Sequence, residues 1–340
     1  MKAYIVYEAQ KGSLADIPIP EIRSDEVLVK VKSAALCHSD LDIIDGRRKH
    51  AIKLPVVLGH EFCGVIEKVG CSVAGLKKGW LVACECIVWC GECRSCKCGA
   101  TSCCENFDEL GTCRNGGFAE YTAVPAKMVH PVKSLTPDQT SNIEPAGNGF
   151  HAALKTQINE GDSVVVIGPG PIGLYAIQFA ALYKPSSLIM AGTRDDRLAV
   201  AAQLGATHTI NVRKTAAFDE IMKITGGKGV DRVIQCATTV DAVELGLRIL
   251  GGNSIMSVEG YVGQPIPVNF GIFQETPVNA IIGVCGVTHQ NYKDTIALAE
   301  AGKISFEPII THRYKLDDID KAIKLMRDKN EGVIKIVINP

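Results

Sequence analysis

The stretch that most constrains this chain is SVVVIGPGPIGLYAIQFAA, Ser163–Ala181. A continuous aliphatic run, Val164–Ile167, enters a turn with glycines at 168, 170 and 173 and leaves it as an apolar helical segment. G-x-G-x-x-G carries meaning only between a strand and a helix, and both are present. Gly168 permits the tight turn. Gly170 lets the backbone approach a pyrophosphate. Gly173 lets the helix pack close to the strand, and the helix N-terminus at Pro171 and Ile172 faces the phosphates. The alternation then continues. Strand-like SLIMAG, HTINV, DRVIQC, SIMSVEG and NAIIGVCG are separated by helical DDRLAVAAQLG, FDEIMKITGGKG and TTVDAVELGLRILGG. Six short apolar strands alternating with helices predict an α/β fold, a doubly wound parallel sheet of Rossmann type binding NAD(P), over 148–285.

The first 147 residues read differently. EVLVKVKSAAL, GVIEKVG and WLVACECI are short β-type runs punctuated by Gly and Pro, which predicts an irregular, mostly antiparallel β-rich domain. After residue 285 the alternation breaks, leaving two helical segments and a final strand GVIKIVIN. A length of 340 residues fits two domains.

The end of the second strand of such a sheet sets cofactor choice. An acid there accepts from the ribose 2′-OH of NAD; a basic residue accommodates the 2′-phosphate of NADP. Here Gly192, Thr193 and Arg194 follow the strand: room, a hydroxyl and a guanidinium fork. Asp195 and Asp196 come late and read as acids of a helix first turn. NADP(H) is therefore expected over NAD(H).

Fourteen cysteines need a second explanation, and nine lie between Cys84 and Cys113. The N-terminus MKAYIVYEAQKG turns polar too soon for a secretory core, and no apolar run approaches a bilayer span. A cytoplasmic protein is expected, where thiols bind metal or pack rather than form disulfides. Within the lobe 84–113, Cys90, Cys93, Cys96 and Cys104 follow C-x2-C-x2-C-x7-C, suited to a closed tetrahedral structural zinc. Cys84, Cys86, Cys98 and Cys103 crowd the same segment. A second set is Cys37 in ALCHSD, His60 and Glu61 in LGHEFCG, and Glu144 in SNIEPAG. One Cys, one His and a carboxylate, with a place for water or substrate, make an open catalytic zinc site.

Together these motifs resemble the zinc-dependent medium-chain dehydrogenase/reductase superfamily of alcohol, polyol and threonine dehydrogenases. The resemblance runs through GHE-x-x-G-x-x-x-x-V-G (His60 to Gly70), the four-cysteine lobe, GGFAEY (Gly116 to Tyr121), the glycine turn, GKGVDRVI (Gly227 to Ile234) and ITHRYKLDDIDKA. It implies a GroES-like catalytic domain, formed by 1–147 and completed by 286–340. It implies two zinc ions per chain. It makes Cys37 and His60 catalytic-zinc ligands, Glu144 the fourth-ligand position and Glu61 a conditional ligand. Ser39 becomes the hydroxyl that meets the substrate oxygen, and His38 a basic contact to the pyrophosphate. Many relatives carry a histidine five residues after the ligand cysteine; this chain has Asp42, so the outer end of the proton relay falls on Asp42 or on water.

The function expected is a zinc-dependent, NADP(H)-preferring alcohol dehydrogenase or ketone reductase acting on a secondary alcohol or polyol. The alternative is an NAD-dependent sugar-alcohol, butanediol or threonine dehydrogenase. A net charge of −1 without a basic stripe argues against nucleic-acid or membrane partners and against a non-enzymatic zinc module. A zinc-free quinone-reductase relative would lack Cys37 and the cysteine lobe. The apolar NAIIGVCG edge predicts a homodimer or homotetramer. The basic run Arg47, Arg48, Lys49 and His50 reads as a solvated loop or as an attractor of an anionic substrate such as a sugar phosphate.

Overall fold

The computed structural model describes residues 1–48, 51–271, 280–329 and 332–340. Two compact units emerge, Met1–Glu144 with Val287–Pro340, and Pro145–Gly286.

In the second unit six parallel strands lie in the order His208–Asn211, Ser187–Gly192, Ser163–Ile167, Val230–Gln235, Leu250–Val258, Ala280–Gly283. In sequence terms this is 3-2-1-4-5-6, the doubly wound order, whose strand order reverses between the first and fourth strands. The central strands are continuous aliphatic runs because helices cover both faces. Val164, Val165 and Val166 are fully buried, and so are Val233 and Ile234 next door. The helix Pro171–Ala181 opens at the glycine turn. A Cβ on Gly173 would sit 2.0 Å from the carbonyl oxygen of Gly168, so the turn closes only with glycine there.

In the first unit the hub is the strand Glu26–Leu36. It pairs antiparallel with Glu61–Val69, Tyr121–Pro125 and Lys335–Asn339. Leu81–Cys84, Val129–Pro131 and Ile310–Lys315 extend the same sheet. A smaller three-stranded sheet joins Lys11–Asp16, Lys2–Glu8 and Val56–Val57. The C-terminal segment is integral to this unit. Leu316, Ile319, Ala322, Ile336 and Ile338 share one buried cluster with Val27, Val29, Leu36 and Phe62.

Register on the hub positions chemistry. Ala35 lies opposite Glu61 on one side, and Leu36 opposite Ile336 on the other. The chain then leaves the strand at Cys37, which caps the helix His38–Ile44. Three strands separated in sequence thus bring Cys37, Glu61 and Lys335 to one end of one sheet.

Candidate active site and cofactor cavity

In the second unit a cavity of about 680 Å³ opens beyond the carboxyl ends of the first and fourth strands. Its walls include Gly168, Pro169, Gly170, Gly192, Thr193 and Arg194. This is where open α/β sheets bind ligands. Two more guanidinium groups line it, Arg197 and Arg213. Burial, reinforced by the neighbouring Arg194, holds Arg197 below its ordinary value. A cavity wall carrying three guanidinium groups favours an anion. Of the acids, Asp241 lines the cavity, while Asp196 accepts from Arg194 at 2.6 Å and Asp195 from Lys214 and Asn211. Hydrogen bonding from Arg194 lowers Asp196. Gly192 also has a packing reason. A Cβ there would lie 2.3 Å from the Pro169 ring, so the glycine makes room for the turn.

In the first unit one donor atom each from Cys37, His60 and Glu61 lies within 4.8 Å of the others. His60 and Glu61 are buried and Cys37 is half-buried. Asp40 organises the trio. Its Oδ2 accepts the Cys37 N–H at 2.9 Å, and its Oδ1 lies 3.5 Å from His60 Nδ1. That turns His60 Nε2 toward Glu61, 3.8 Å from Oε1. Burial opposes a charged imidazole, but Asp40 and Cys37 outweigh it and hold His60 well above its ordinary value. The pocket therefore demands positive charge among thiolate and carboxylate donors, which a divalent cation fits. Lys335 meets part of that demand by pairing with Glu61.

Glu144, expected as fourth ligand, is not in the converging set. It sits in the first turn of the helix Ile143–Lys155, where the Cys86 thiol lies 3.9 Å from its Oε1. Ser39 lies in the first turn of the helix after Cys37. His38 is exposed, with Nε2 4.0 Å from Asp42 Oδ1, and Asp42 accepts from Arg47 Nε at 2.8 Å. Arg47 also binds Asp45, and Arg48 binds Glu109 at 3.0 Å. Arg47 is thus paired within its own loop and Arg48 with the cysteine lobe, while Lys49 and His50 lie outside the described residues.

In the cysteine lobe, Cys90, Cys93, Cys96 and Cys104 bring their sulfurs within 4.8 Å of one another. Backbone amides point at them: Glu92 and Cys93 N–H donate to Cys90, Cys96 N–H to Cys93, and Cys90 N–H to Cys104, at 3.3–3.4 Å. Those amides lower Cys90 to about 6, while burial pushes Cys96 up to about 12. Amide-stabilised thiolates in a tetrad fit a closed zinc site. The crowding resolves by burial. Cys84 and Cys86 are core thiols pushed up by desolvation, and Cys98 and Cys103 are exposed.

Comparison with known proteins agrees with this anatomy. The alcohol dehydrogenase GroES-like domain family matches residues 23–134, and the zinc-binding dehydrogenase family matches 171–301. L-threonine 3-dehydrogenase of Bacillus velezensis is 34% identical, covering 100% of this chain and 99% of that protein. The chain is a zinc-dependent medium-chain dehydrogenase. Its structure resembles galactitol-1-phosphate dehydrogenase from Escherichia coli, with TM-score 0.92, 30% identity and 100% of each chain covered. It also resembles a zinc-binding dehydrogenase from Sinorhizobium meliloti 1021 bound to NADP, with TM-score 0.93, 26% identity, and 100% and 99% of the chains covered.

For this dehydrogenase, sequence reasoning missed Asp40, Lys335, Arg197 and Arg213. Asp40 was within reach, as the third residue after a proposed ligand. Lys335 lies about 300 residues from Cys37, and only strand register joins them. No helix of the described residues is long and apolar enough to cross a membrane.

Proposed function

We propose that this dehydrogenase oxidises the secondary carbinol of a polyol-like substrate, or reduces the matching ketone, with NADP(H) as preferred redox partner. The observation that carries the cofactor choice is the cavity wall of Arg194, Arg197 and Arg213, three guanidinium groups beside one lining carboxylate, Asp241. The polyol reading rests on the EP pair at Glu144 and on the likeness to galactitol-1-phosphate dehydrogenase.

Cys37, His60 and Glu61 would hold the catalytic zinc, with Glu144 as the alternative carboxylate, and Cys90, Cys93, Cys96 and Cys104 a structural one. Zinc at the first set supplies a Lewis acid that makes the substrate hydroxyl more acidic. The nicotinamide supplies the hydride acceptor or donor. The chain does the rest. Ser39 takes the hydroxyl proton and passes it outward along its helix toward His38, Asp42 and water. Asp40 fixes the His60 ring, and Lys335 balances the Glu61 charge. The glycine turn, with Gly168, Gly170, Pro171, Ile172 and Gly173, seats the pyrophosphate. Thr193 and Arg194 seat the ribose phosphate.

A second reading is an NAD-dependent threonine or sugar-alcohol dehydrogenase, favoured by the 34% identity to L-threonine 3-dehydrogenase. Initial rates on 2-alkanols, diols, sugar alcohols, a phosphorylated polyol and L-threonine, each with NADP and NAD, decide between them. Highest kcat/KM for a polyol with NADP supports the first reading; highest for L-threonine with NAD replaces it.

A further inference from the structure

We propose that Glu85, His130 and His289 form a third divalent-metal site, separate from both sets above, that staples the C-terminal segment to the sheet of the first unit. The three residues come from distant parts of the sequence. Glu85 follows the strand Leu81–Cys84, and its N–H donates to Met128 O at 2.8 Å. His130 is the middle residue of Val129–Pro131, paired in register with Ala83. His289 opens the helix His289–Glu300, its backbone N–H held by Thr101 Oγ1 at 2.7 Å.

Their side chains converge. Glu85 Oε2 lies 3.1 Å from His130 Nε2 and 2.8 Å from His289 Nδ1, and one donor atom from each residue lies within 4.8 Å of the others. Tetrahedral zinc with bonds of about 2.0–2.2 Å needs donor atoms about 3.3–3.5 Å apart, a few tenths of an ångström more than these two contacts. Two histidines and one carboxylate are an established zinc donor set that leaves a fourth position open.

Two further observations call for a cation. The Glu85 side chain is 2% exposed, and its second oxygen, Oε1, is buried with no hydrogen-bond partner. Among the described residues its ion-pair partners are the two histidines alone. A buried carboxylate is costly unless positive charge compensates it. In addition, His130 and His289 line a cavity of about 610 Å³, which gives a metal an entry path and its fourth ligand a place.

The mechanical effect follows from the ligand positions. Tyr292, one turn along the helix from His289, donates its hydroxyl to Cys84 O at 3.0 Å and packs on the His130 ring at 5.0 Å. A metal at the triad would add a second tie between the same helix and the same pair of strands.

The test uses the full-length protein equilibrated with micromolar free zinc and analysed for zinc per chain by atomic emission. Wild type is expected to hold one equivalent more than His289→Ala. Glu85→Gln, which keeps the shape of the side chain, should lose the same equivalent. The comparison is a difference, so it stands whatever the other two sites hold. With cobalt as probe, the wild-type minus His289→Ala spectrum should show d–d bands without a thiolate-to-cobalt charge-transfer band. Added zinc should raise the Tm of chelator-treated wild type more than that of His289→Ala. Equal zinc content in wild type and both variants, or a difference spectrum with thiolate character, overturns the proposal and leaves the triad a hydrogen-bonded carboxylate–histidine network.

Discussion

Lys335 on the last strand forms a buried ion pair with Glu61, the neighbour of His60, both side chains 2–3% exposed. Burial alone would push the ammonium down, but Glu61 and Cys37 outweigh it and hold Lys335 above its ordinary value. Removing one member of such a pair leaves a buried charge uncompensated. Lys335→Met should cost about 3–5 kcal/mol of stability. Urea unfolding checks this, and the double variant Lys335→Met/Glu61→Gln should recover part of the loss.

Arg194 should discriminate between cofactors. Losing one charge-assisted phosphate contact costs about 1.5–3 kcal/mol, or roughly 10- to 150-fold in kcat/KM at about 1.4 kcal/mol per tenfold. Arg194→Ala should show that fall with NADPH and little change with NADH. Arg213→Ala, on the same cavity wall, should act in the same direction. An equal fall with both cofactors would reject the assignment.

The buried thiols set an alkaline limit to stability. Desolvation, helped by Cys84 and Asp138, raises Cys63 well above the ordinary thiol value, and burial raises Cys84 and Cys86 likewise. Above about pH 9 the unfolded thiols release protons that the folded ones keep. The unfolded state then binds fewer protons, so stability falls as pH rises. Under reducing conditions the Tm should decline from pH 9 upward. The decline should be shallower in Cys63→Ala, by up to about 1.4 kcal/mol per pH unit.

The strand Ala280–Gly283 pairs on one side with Leu250–Val258 and, among the described residues, is the edge of its sheet. Ile281 on it is 41% exposed. Pairing of this edge across a two-fold axis would make a homodimer, or a homotetramer if dimers associate. Sedimentation at micromolar concentration should show an assembly, and Ile281→Lys should weaken it. A monomeric wild type would contradict this.

Local pattern carried most of the fold. The glycine turn and the aliphatic runs after it specify the doubly wound sheet because its central strands are buried on both faces. The four cysteines that the spacing singles out lie together in space. What stayed hidden depends on distant strands meeting. Lys335 reaches Glu61 through the pairing of Ile336 with Leu36. Glu85, His130 and His289 meet only once the last segment folds back onto the sheet. Glu144 shows the converse: its motif was legible, yet its side chain is not in the group that Cys37, His60 and Glu61 form.

Cys37, His60 and Glu61 are proposed to hold the metal that supports hydride transfer. The most direct measurement is zinc content and turnover of Cys37→Ser beside Cys93→Ser. Cys37→Ser should stay folded, lose one zinc equivalent relative to wild type and lose turnover with either cofactor. Cys93→Ser should lose a different equivalent and chiefly lower the Tm. Full turnover in Cys37→Ser, or unchanged zinc content, would contradict the account.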